Sequence, residues 1–590
     1  MASRIGQIGL LFALSVCGFA RLGTAAEVAT AANNLGTPWP ATDALGRVVP
    51  LATEVGPPKP DRFVGMFYFL WHNQRGPGDP KSPGPRDISR ILAADPQALA
   101  KPDSPLWGAM GEPHNWGEPL FGYYDSTDPW VLRRHAHLLA DAGIDTLIFD
   151  TTNAATYPDV YLKLCEVFSQ VRKEGGRTPQ IAFMLNTSAG ETAKKLWDEF
   201  YSKNLYPELW FRWEGKPLMV CDPKEADETV RNFFTLRRAH WPFEMKNTKR
   251  AWHWEATYPQ PFGFDEDANQ PEQLSVSVAQ NLRASDGLVT NMSRGNARGR
   301  SFHDGRQDAQ LGAVNHGYNF EQQWQRAFAL KPPFVLVTGW NEWFAGRFQY
   351  PGEAVSFVDQ YDQEFSRDIE PMKGGHNDNY YLQLVANVRR FKGAPPLTAS
   401  PTDRTIDVAG DFAQWQDVKT SFPDHVGETI PRDFAGILGT HYTNKTGRND
   451  IVESKVCRDA KSINFWVRTR APLTPATDPN WMWLLIDRDQ NPSTGWHGFD
   501  LIVNQKLGRV AVNEGGWKWR DAGKVDYRVE GDQLQLAVPV EVFGEESNAT
   551  LKTFDFKWAD NLQDVDNIMD FYTSGDVAPD GRFRYRCTFE

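Results

Sequence analysis

The sequence predicts an α/β protein whose main body is a (β/α)8 TIM-like barrel, followed by a C-terminal all-β sandwich domain. Three observations support this prediction. Apolar strand-like runs alternate with helical patterns up to about residue 395, short alternating strands with frequent turns follow, and a run rich in proline and small residues separates the two patterns. A chain of 590 residues is also too long for one ordinary core, which agrees with two or more domains.

The chain opens with a predicted export signal. Arg4 precedes an apolar stretch from Ile8 to Ala20, and small residues around Ala25 supply a cleavage site, so residues 1–26 are predicted to be a signal peptide. This stretch is too short for a membrane span, and no later segment reaches about 18 uncharged apolar residues. We therefore expect a secreted or periplasmic protein without a membrane span.

Charge and cysteine content argue against two other classes of protein. A net charge of −12 and a pI near 5.6 are unfavourable for nucleic-acid partners, which need clustered Lys and Arg. The four cysteines after the signal show no metal-ligand spacing, so zinc is not expected. Cys457 and Cys587 fall in the same predicted domain, where a disulfide between them is one option. Cys165 and Cys221 resemble small buried hydrophobes.

The barrel is predicted over residues 27–395, and its elements alternate in the order a parallel sheet requires. The predicted strands are Phe63–Trp71, Asp145–Asp150, Ile181–Asn186, Pro217–Asp222, Ala251–Tyr258, Leu274–Val278 and the apolar run that begins at Phe334. The predicted helices are Pro129–Ala142, Val160–Lys173, one after Glu191, Glu225–His240 and Phe320–Leu330. A doubly wound open sheet is the alternative. Against it, no glycine-rich phosphate loop follows the first strand.

Polar and aromatic side chains stand where these predicted strands end. In a barrel those ends meet at one face, so carboxylates, amides and indoles converge there. Such a set suits glycoside hydrolysis, in which two carboxyl groups flank the bond and flat indoles face the sugar rings. The predicted catalytic residues are Glu342, Glu255 and Asp150. The predicted substrate-binding residues are Tyr68, Trp71, His72, Asn186, Asp222, Trp254, Trp340 and Asn341. For Asp222, capping of the next helix is an equal alternative.

The strongest of these strand ends is the segment from Gly339 to Trp343. It reads Gly-Trp-Asn-Glu-Trp after an unbroken apolar strand, which is typical of a strand buried on both faces. We expect Glu342 to point into an open, aromatic-lined basin that it shares with a second acidic group. No cofactor is expected to be required for such catalysis.

Several segments resemble the glycoside hydrolase family 71/99-like barrels, which include endo-α-mannosidases. The resemblance covers most of residues 60–395. It is carried by Arg62-Phe63-Val64-Gly65-Met66-Phe67-Tyr68, Tyr124-Asp125-Ser126-Thr127-Asp128-Pro129, Ala142-Gly143-Ile144-Asp145, Gly339-Trp340-Asn341-Glu342-Trp343 and Asp368-Ile369-Glu370-Pro371-Met372. It implies a secreted glycosidase in which Glu342 matches the first of the family's two catalytic glutamates, the base that acts on the substrate's 2-hydroxyl.

The sequence departs from this family at the second catalytic glutamate, where it has Ala345. A methyl group cannot transfer a proton, so two hypotheses stand. In the first, another carboxylate serves as the acid. Glu255 is preferred because neighbouring indoles would raise its pKa, and Asp150 comes second. In the second, the protein binds a polysaccharide or glycan without cleaving it.

Residues 396–402 are predicted to be a linker and residues 403–590 a β-sandwich. The segments Ile406–Trp415 and Asp487–Trp496 resemble carbohydrate-binding module family 9-like sandwiches. Asp487, Asp489 and Asn491 place oxygen ligands at alternate positions, as calcium loops often do; the alternative is a turn of self-bonded Asx side chains. Three indoles are candidates for a sugar-stacking surface: Trp496, Trp517 and Trp519.

Overall fold

The computed structural model describes residues 34–72, 84–242, 244–400, 404–544 and 551–589. The predicted signal peptide and residues 401 and 402 of the predicted linker lie outside these ranges. In the described part of the chain, none of the helices combines the length and the apolar character that a membrane crossing would need.

Eight parallel strands build the first half of the protein. They are β1 (Phe63–Tyr68), β2 (Thr146–Asp150), β3 (Gln180–Met184), β4 (Lys216–Val220), β5 (Thr235–His240), β6 (Ala251–His253), β7 (Gln273–Ser277) and β8 (Phe334–Thr338). Each strand from β1 to β5 pairs with the next, β7 pairs with β8, and β8 pairs back with β1. The sheet is therefore a nearly closed, barrel-like parallel sheet.

A side chain closes the remaining gap between β6 and β7. The backbone N–H of His253 donates to Oε1 of Gln273 at 2.7 Å, and Nε2 of Gln273 donates to the carbonyl of His253 at 2.8 Å. Beside this gap, Gly263 lies so close to the backbone of Ala251 that an added Cβ would be 1.9 Å from the carbonyl oxygen of Ala251. Only glycine fits there.

Alternating side chains of the strands fill two separate cores, as the period of a strand requires. Inside the barrel, Phe67 of β1 packs with Leu336 of β8 and with Trp254. Gly65 leaves room for the ring of Phe334, which an added Cβ would meet at 2.6 Å. Outside the barrel, the strands pack against helices in a larger apolar cluster. The barrel interior is thus a packed core and not a channel.

The helices are α1 (Ala52–Val55), α2 (Ile88–Ala94), α3 (Pro129–Asp141), α4 (Pro158–Lys173), α5 (Ala189–Leu196), α6 (Glu228–Phe233), α7 (Tyr318–Leu330) and α8 (Asn379–Lys392). Asp128 caps α3, accepting a hydrogen bond from the N–H of Trp130 at 3.0 Å. Among the described residues, β5, β6 and β7 follow one another without intervening helices, so the (β/α)8 pattern is only partly followed.

The predicted helix Glu225–His240 is wrong in its second half. Only Glu228–Phe233 is helical, and Thr235–His240 forms β5 of the barrel. The charged residues of this segment produced the helical pattern. Arg237 is buried in this strand, and Glu272 accepts hydrogen bonds from its guanidinium. This ion pair stabilises a charged residue inside the sheet, where the apolar pattern of a buried strand would not place one.

Several two-residue strands lie around the eight strands of the barrel. Three of them form a small sheet over its carboxyl end: Arg86–Asp87, His114–Asn115 and Phe344–Ala345. The others are Arg212–Trp213, Thr248–Lys249, Gly263–Phe264, Ala297–Arg298, Phe302–His303, Arg306–Gln307, Arg347–Phe348 and Ser356–Phe357, and the four-residue strand Gln280–Arg283 pairs with one of them.

The second half of the protein consists of antiparallel sheets, two of which share one apolar core. One sheet has the order Phe422–Pro423, Ile451–Arg458, Ser462–Thr469, Gln533–Pro539 and Asp526–Glu530. The other has the order Trp519–Lys524, Arg509–Asn513, Leu501–Val503, Trp483–Asp487, Thr553–Asp560 and Asp576–Ala578, with Tyr585–Thr588 also paired to Thr553–Asp560. A separate hairpin joins Arg432–Ala435 to His441–Asn444.

The two halves meet along α3, which is buried over most of its length. Asp128 accepts a hydrogen bond from Nε of Arg432 at 2.7 Å, and Asp378 accepts one from the hydroxyl of Tyr572 at 2.9 Å. The second half therefore covers a helix that would face solvent in an isolated barrel. Cys457 and Cys587, considered above as a disulfide pair, are both free and buried.

Candidate functional site

The segment after β8 is held in place by its own polar side chains. Asn341 spans the backbone of Phe69, accepting from its N–H at 2.9 Å and donating to its carbonyl at 3.2 Å. The N–H of Glu342 donates to Oδ1 of Asp368 at 2.5 Å. Asn341 therefore anchors the strand end, in place of the predicted contact with substrate, and Asp368 fixes the backbone from which the Glu342 side chain projects.

Glu342 and Glu255 share one guanidinium. Nη2 of Arg367 lies 3.0 Å from Oε2 of Glu342, and Nη1 lies 3.2 Å from Oε2 of Glu255. Gln360 also donates to Glu342, at 2.6 Å. Glu342 is only 4% exposed, and Glu255 has no exposed surface. The expectation of an open basin around Glu342 is therefore wrong, because Arg367 and Gln360 enclose most of its carboxylate.

Burial of this pair shifts its protonation. It raises the pKa of Glu255 to about 7 and the pKa of Glu342 well above its usual range, and Arg367 opposes both shifts without cancelling them. One guanidinium thus faces two carboxyl groups that cannot both remain ionised at low cost. We conclude that the pair holds a proton near neutral pH.

A third carboxyl group, Asp359, reaches the solvent side of the same guanidinium. Its Oδ1 lies 3.8 Å from Nη2 of Arg367, and its side chain is 48% exposed. Because Glu342 is 3.0 Å from the same nitrogen, the two carboxyl oxygens lie at most about 7 Å apart, which is no wider than the largest separations of paired glycosidase carboxyls. Asp150 is close enough for its raised pKa, caused by burial, to be influenced by both Asp359 and Arg367.

Aromatic side chains surround these groups. The Arg367 guanidinium lies over the ring of Trp254 at 4.8 Å, and Trp254 packs against Trp241 with ring centroids 5.3 Å apart. Trp241 donates from its indole to Oδ1 of the exposed Asn186 at 2.9 Å. Trp71 is partly exposed, and its indole N–H has no partner. These residues form the indole-lined rim of the site.

Several predicted binding residues lie elsewhere. Tyr68 and Trp340 face the outer core, where Tyr68 bonds to Nδ1 of His135 at 2.8 Å, because alternate residues of a strand point to opposite sides. His72 is buried against Tyr124 and Phe344, and burial lowers its pKa to about 3.

The remaining strand-end residue, Asp222, does not cap the next helix, because Asp227 is the N-cap of α6. Asp222 lies in a turn instead. It accepts a hydrogen bond from the backbone N–H of Lys224 at 2.9 Å.

Ala345 is buried in an apolar cluster with Ile88, Trp107 and Phe357. A carboxyl group at this position would enter that apolar cluster and lose its hydration. The alanine therefore fits its surroundings, and a second acid has to come from another part of the chain.

Sequence reasoning missed the residues that organise the site, namely Arg367, Gln360 and Asp359. They belong to the irregular segment between β8 and α8, in which no periodic pattern directs attention to any residue. A signal was present, because Arg367 directly precedes the segment from Asp368 to Met372 that carries part of the family resemblance.

In the second half, the predicted calcium ligands are only partly brought together. Asp487 and Asp489 each offer an oxygen within 4.8 Å of the other and of Asp500, whereas Oδ1 of Asn491 accepts the N–H of Ser493 in an exposed turn. Asp500 thus takes the place assigned to Asn491. Burial raises the pKa of Asp487 to about 7.

The three candidate stacking indoles of this half lie together. Trp517 packs on Trp496 with centroids 4.6 Å apart and on Trp519 with centroids 5.5 Å apart. Trp496 is buried, whereas Trp517 and Trp519 are half-buried.

No family model matches the chain, and no curated protein matches it. Among solved structures the chain is similar to a GH99 endo-alpha-mannosidase from Bacteroides thetaiotaomicron. One structure of that enzyme, in complex with BIS-TRIS-propane, is 13% identical and covers 56% of this chain and 97% of that chain, with a TM-score of 0.31. A second is 15% identical and covers 57% of this chain and 99% of that chain, with a TM-score of 0.32.

Proposed function

We propose that the protein is a glycoside hydrolase that acts on a polysaccharide or complex glycan. The observation that carries this proposal is the placement of three carboxyl groups around one buried guanidinium: Glu342 and Glu255 on the protein side and Asp359 on the solvent side. Hydrolysis of a glycosidic bond needs a proton donor and a second carboxyl group on opposite sides of the bond. Indoles beside them favour a sugar as the ligand.

The pair of buried glutamates supplies the proton. Glu342 is the member with exposed surface, so it donates to the glycosidic oxygen as the bond to the anomeric carbon breaks. Asp359 accepts a proton from water, whose oxygen forms the new bond to that carbon. Glu255 has no exposed surface, so it does not make the direct contact with the substrate that the sequence had predicted. Its proposed role is to hold Arg367 and the shared proton in place. Asp150 provides a further carboxyl group beside Asp359.

The second half of the protein is proposed to hold the glycan near the barrel. Trp517 and Trp519 supply the half-buried indoles for this, and linkage of the two halves would raise the local concentration of substrate. The apolar stretch from Ile8 to Ala20 supports a proposed secreted or periplasmic location.

A second candidate function is binding without cleavage. It is favoured by one observation, the enclosure of Glu342 by Arg367 and Gln360, which leaves little of the carboxylate open to a substrate. Under this alternative the rim indoles bind the glycan, and the buried carboxyls serve only the ion pair.

Release of reducing ends from a panel of α-linked polysaccharides distinguishes the two. We expect Glu342→Gln and Asp359→Asn each to lower kcat by about 10²–10⁴-fold, the size of a lost general acid or base. The matched control is Glu514→Gln, which removes an exposed carboxylate paired with Arg520 and should leave the rate unchanged. Binding of a polysaccharide without release of reducing ends by the wild type would establish the binding function instead.

A further inference from the structure

A cluster of histidine and carboxylate side chains lies where α3 meets the second half of the protein. His137, His425 and Asp580 each offer one ligand atom, and these atoms lie within 4.8 Å of one another. The two imidazole rings are nearly parallel, at 5°, with centroids 4.1 Å apart. Nδ1 of His137 is 3.8 Å from Oδ2 of Asp580, close to the separation of neighbouring ligands around a small cation.

Polar atoms in this cluster lack hydrogen-bond partners. Nε2 of His137 and Oε2 of Glu428 are both buried and unpaired, although both side chains are almost entirely inaccessible. An unpaired buried polar atom costs roughly 1–3 kcal/mol, and native structures contain few of them. Nδ1 of His137 lies 3.3 Å from Oε1 of Glu428, and Nε2 of His425 lies 3.2 Å from Oδ2 of Asp141. An ion bound through these nitrogens would replace these two contacts, and the unpaired Nε2 of His137 and Oε2 of Glu428 show that the hydrogen bonding of the cluster is incomplete without a ligand.

The surrounding charge favours a cation. Five carboxyl groups face this region: Asp141, Asp424, Glu428, Asp576 and Asp580. Four basic groups face it: Arg133, Arg134, Arg177 and Lys557.

The cluster is open to solvent on one side. A cavity of about 330 Å³ is lined by residues that include Asp141, Asp424, His425 and Asp580. An ion can reach His425 and Asp580 through this cavity, and His137 is stacked on His425.

We propose that this cluster binds a zinc-like divalent transition-metal ion, with His137, His425 and Asp580 as ligands, and that the ion fastens the second half of the protein to α3. Imidazole with carboxylate is a ligand set that suits zinc, whereas calcium and magnesium prefer oxygen ligands alone. The spacing of the cysteines did not predict zinc, because these ligands come from positions far apart in the chain. The proposal is independent of the glycosidase proposal.

Zinc alone is the probe. The full-length mature protein, purified without a metal-affinity tag and treated with EDTA, is titrated calorimetrically with ZnCl₂ at pH 8 in excess calcium, which occupies oxygen-only sites. We expect one zinc ion per chain and a higher thermal midpoint with zinc. His425→Gln should weaken zinc binding at least tenfold, while His441→Gln, at an exposed histidine paired with Asp433, should leave it unchanged.

A spectroscopic readout on the wild type covers the case in which His425→Gln does not fold. Cobalt(II) should bind with the same stoichiometry and give visible absorption bands of a four- or five-coordinate nitrogen and oxygen site, and zinc should displace it. The proposal is overturned if the wild type binds no zinc under these conditions, or if folded His425→Gln binds zinc as tightly as the wild type.

Discussion

Replacement of Arg367 by methionine tests the electrostatics of the site. Arg367 is 1% exposed, contacts Glu342 at 3.0 Å and Glu255 at 3.2 Å, and lies over Trp254. Removing one partner of a buried ion pair typically destabilises a protein by about 3–5 kcal/mol, because a buried charge is left uncompensated. Methionine keeps much of the volume, so the loss should come mainly from charge.

The size of this loss should depend on pH. At pH 5 the two glutamates of the Arg367→Met protein can remain protonated, so we expect a loss well below the full value. At pH 8 the folded variant must either keep buried carboxylates without a counter-charge or bind protons at a low proton concentration. We expect a loss of stability of about 3–5 kcal/mol at this pH.

Urea unfolding followed by tryptophan fluorescence at pH 5 and pH 8 measures both values. The matched control is Arg520→Met, which removes an exposed ion pair with Glu514 and should cost at most about 1 kcal/mol at either pH. A loss from Arg367→Met that is the same at both pH values, or below about 1 kcal/mol at pH 8, would refute the shared-proton description.

Three further predictions concern separate parts of the chain. Because burial raises the folded-state pKa of Glu255 to about 7, the folded protein binds more protons than the unfolded chain between about pH 4 and 7. The free energy of unfolding should therefore fall across that range by on the order of 3 kcal/mol. Glu255→Gln should reduce this fall, as measured by urea titrations at several pH values. Gly263→Ala should lower the thermal midpoint, since its Cβ would meet the Ala251 carbonyl at 1.9 Å, whereas Gly117→Ala, whose Cβ meets only a flexible side chain at 3.3 Å, should not; equal midpoints would contradict this close approach. Calcium is predicted to raise the midpoint of the second half, and Asp489→Ala should abolish that rise in scanning calorimetry; an equal rise in both proteins would place calcium elsewhere.

The strands that build the barrel could be predicted because burial on both faces leaves an unbroken apolar run. The segments around β1, β2, β3, β4 and β8 all have this pattern and form strands close to the predicted bounds. The strand β5 could not be predicted, since the ion pair between Arg237 and Glu272 hides it. Such a pair exists only after distant segments have come together.

The site could be predicted only where it belongs to a strand end. Glu342, Glu255 and Asp150 follow recognisable strands, and the structure places all three around Arg367. Arg367 and Asp359 belong to an irregular segment whose path is set by tertiary contacts, so local pattern carried no information about them.

The pleat of the strand also limits prediction from sequence. Neighbouring residues such as Trp340 and Asn341 were predicted to bind substrate together with Glu342, but they point to the outer core and to the backbone of Phe69. Which neighbours share a face at an irregular strand end depends on the turn that follows, and the sequence does not specify that turn.

A crystal structure of the Glu342→Gln variant with a bound oligosaccharide tests the central claim most directly. The account predicts a glycosidic oxygen within about 3 Å of the side chain at position 342, with Asp359 on the opposite side of the sugar ring and an indole of the rim against its face. An oligosaccharide bound only at Trp517 and Trp519, with position 342 still enclosed by Arg367 and Gln360, would contradict it.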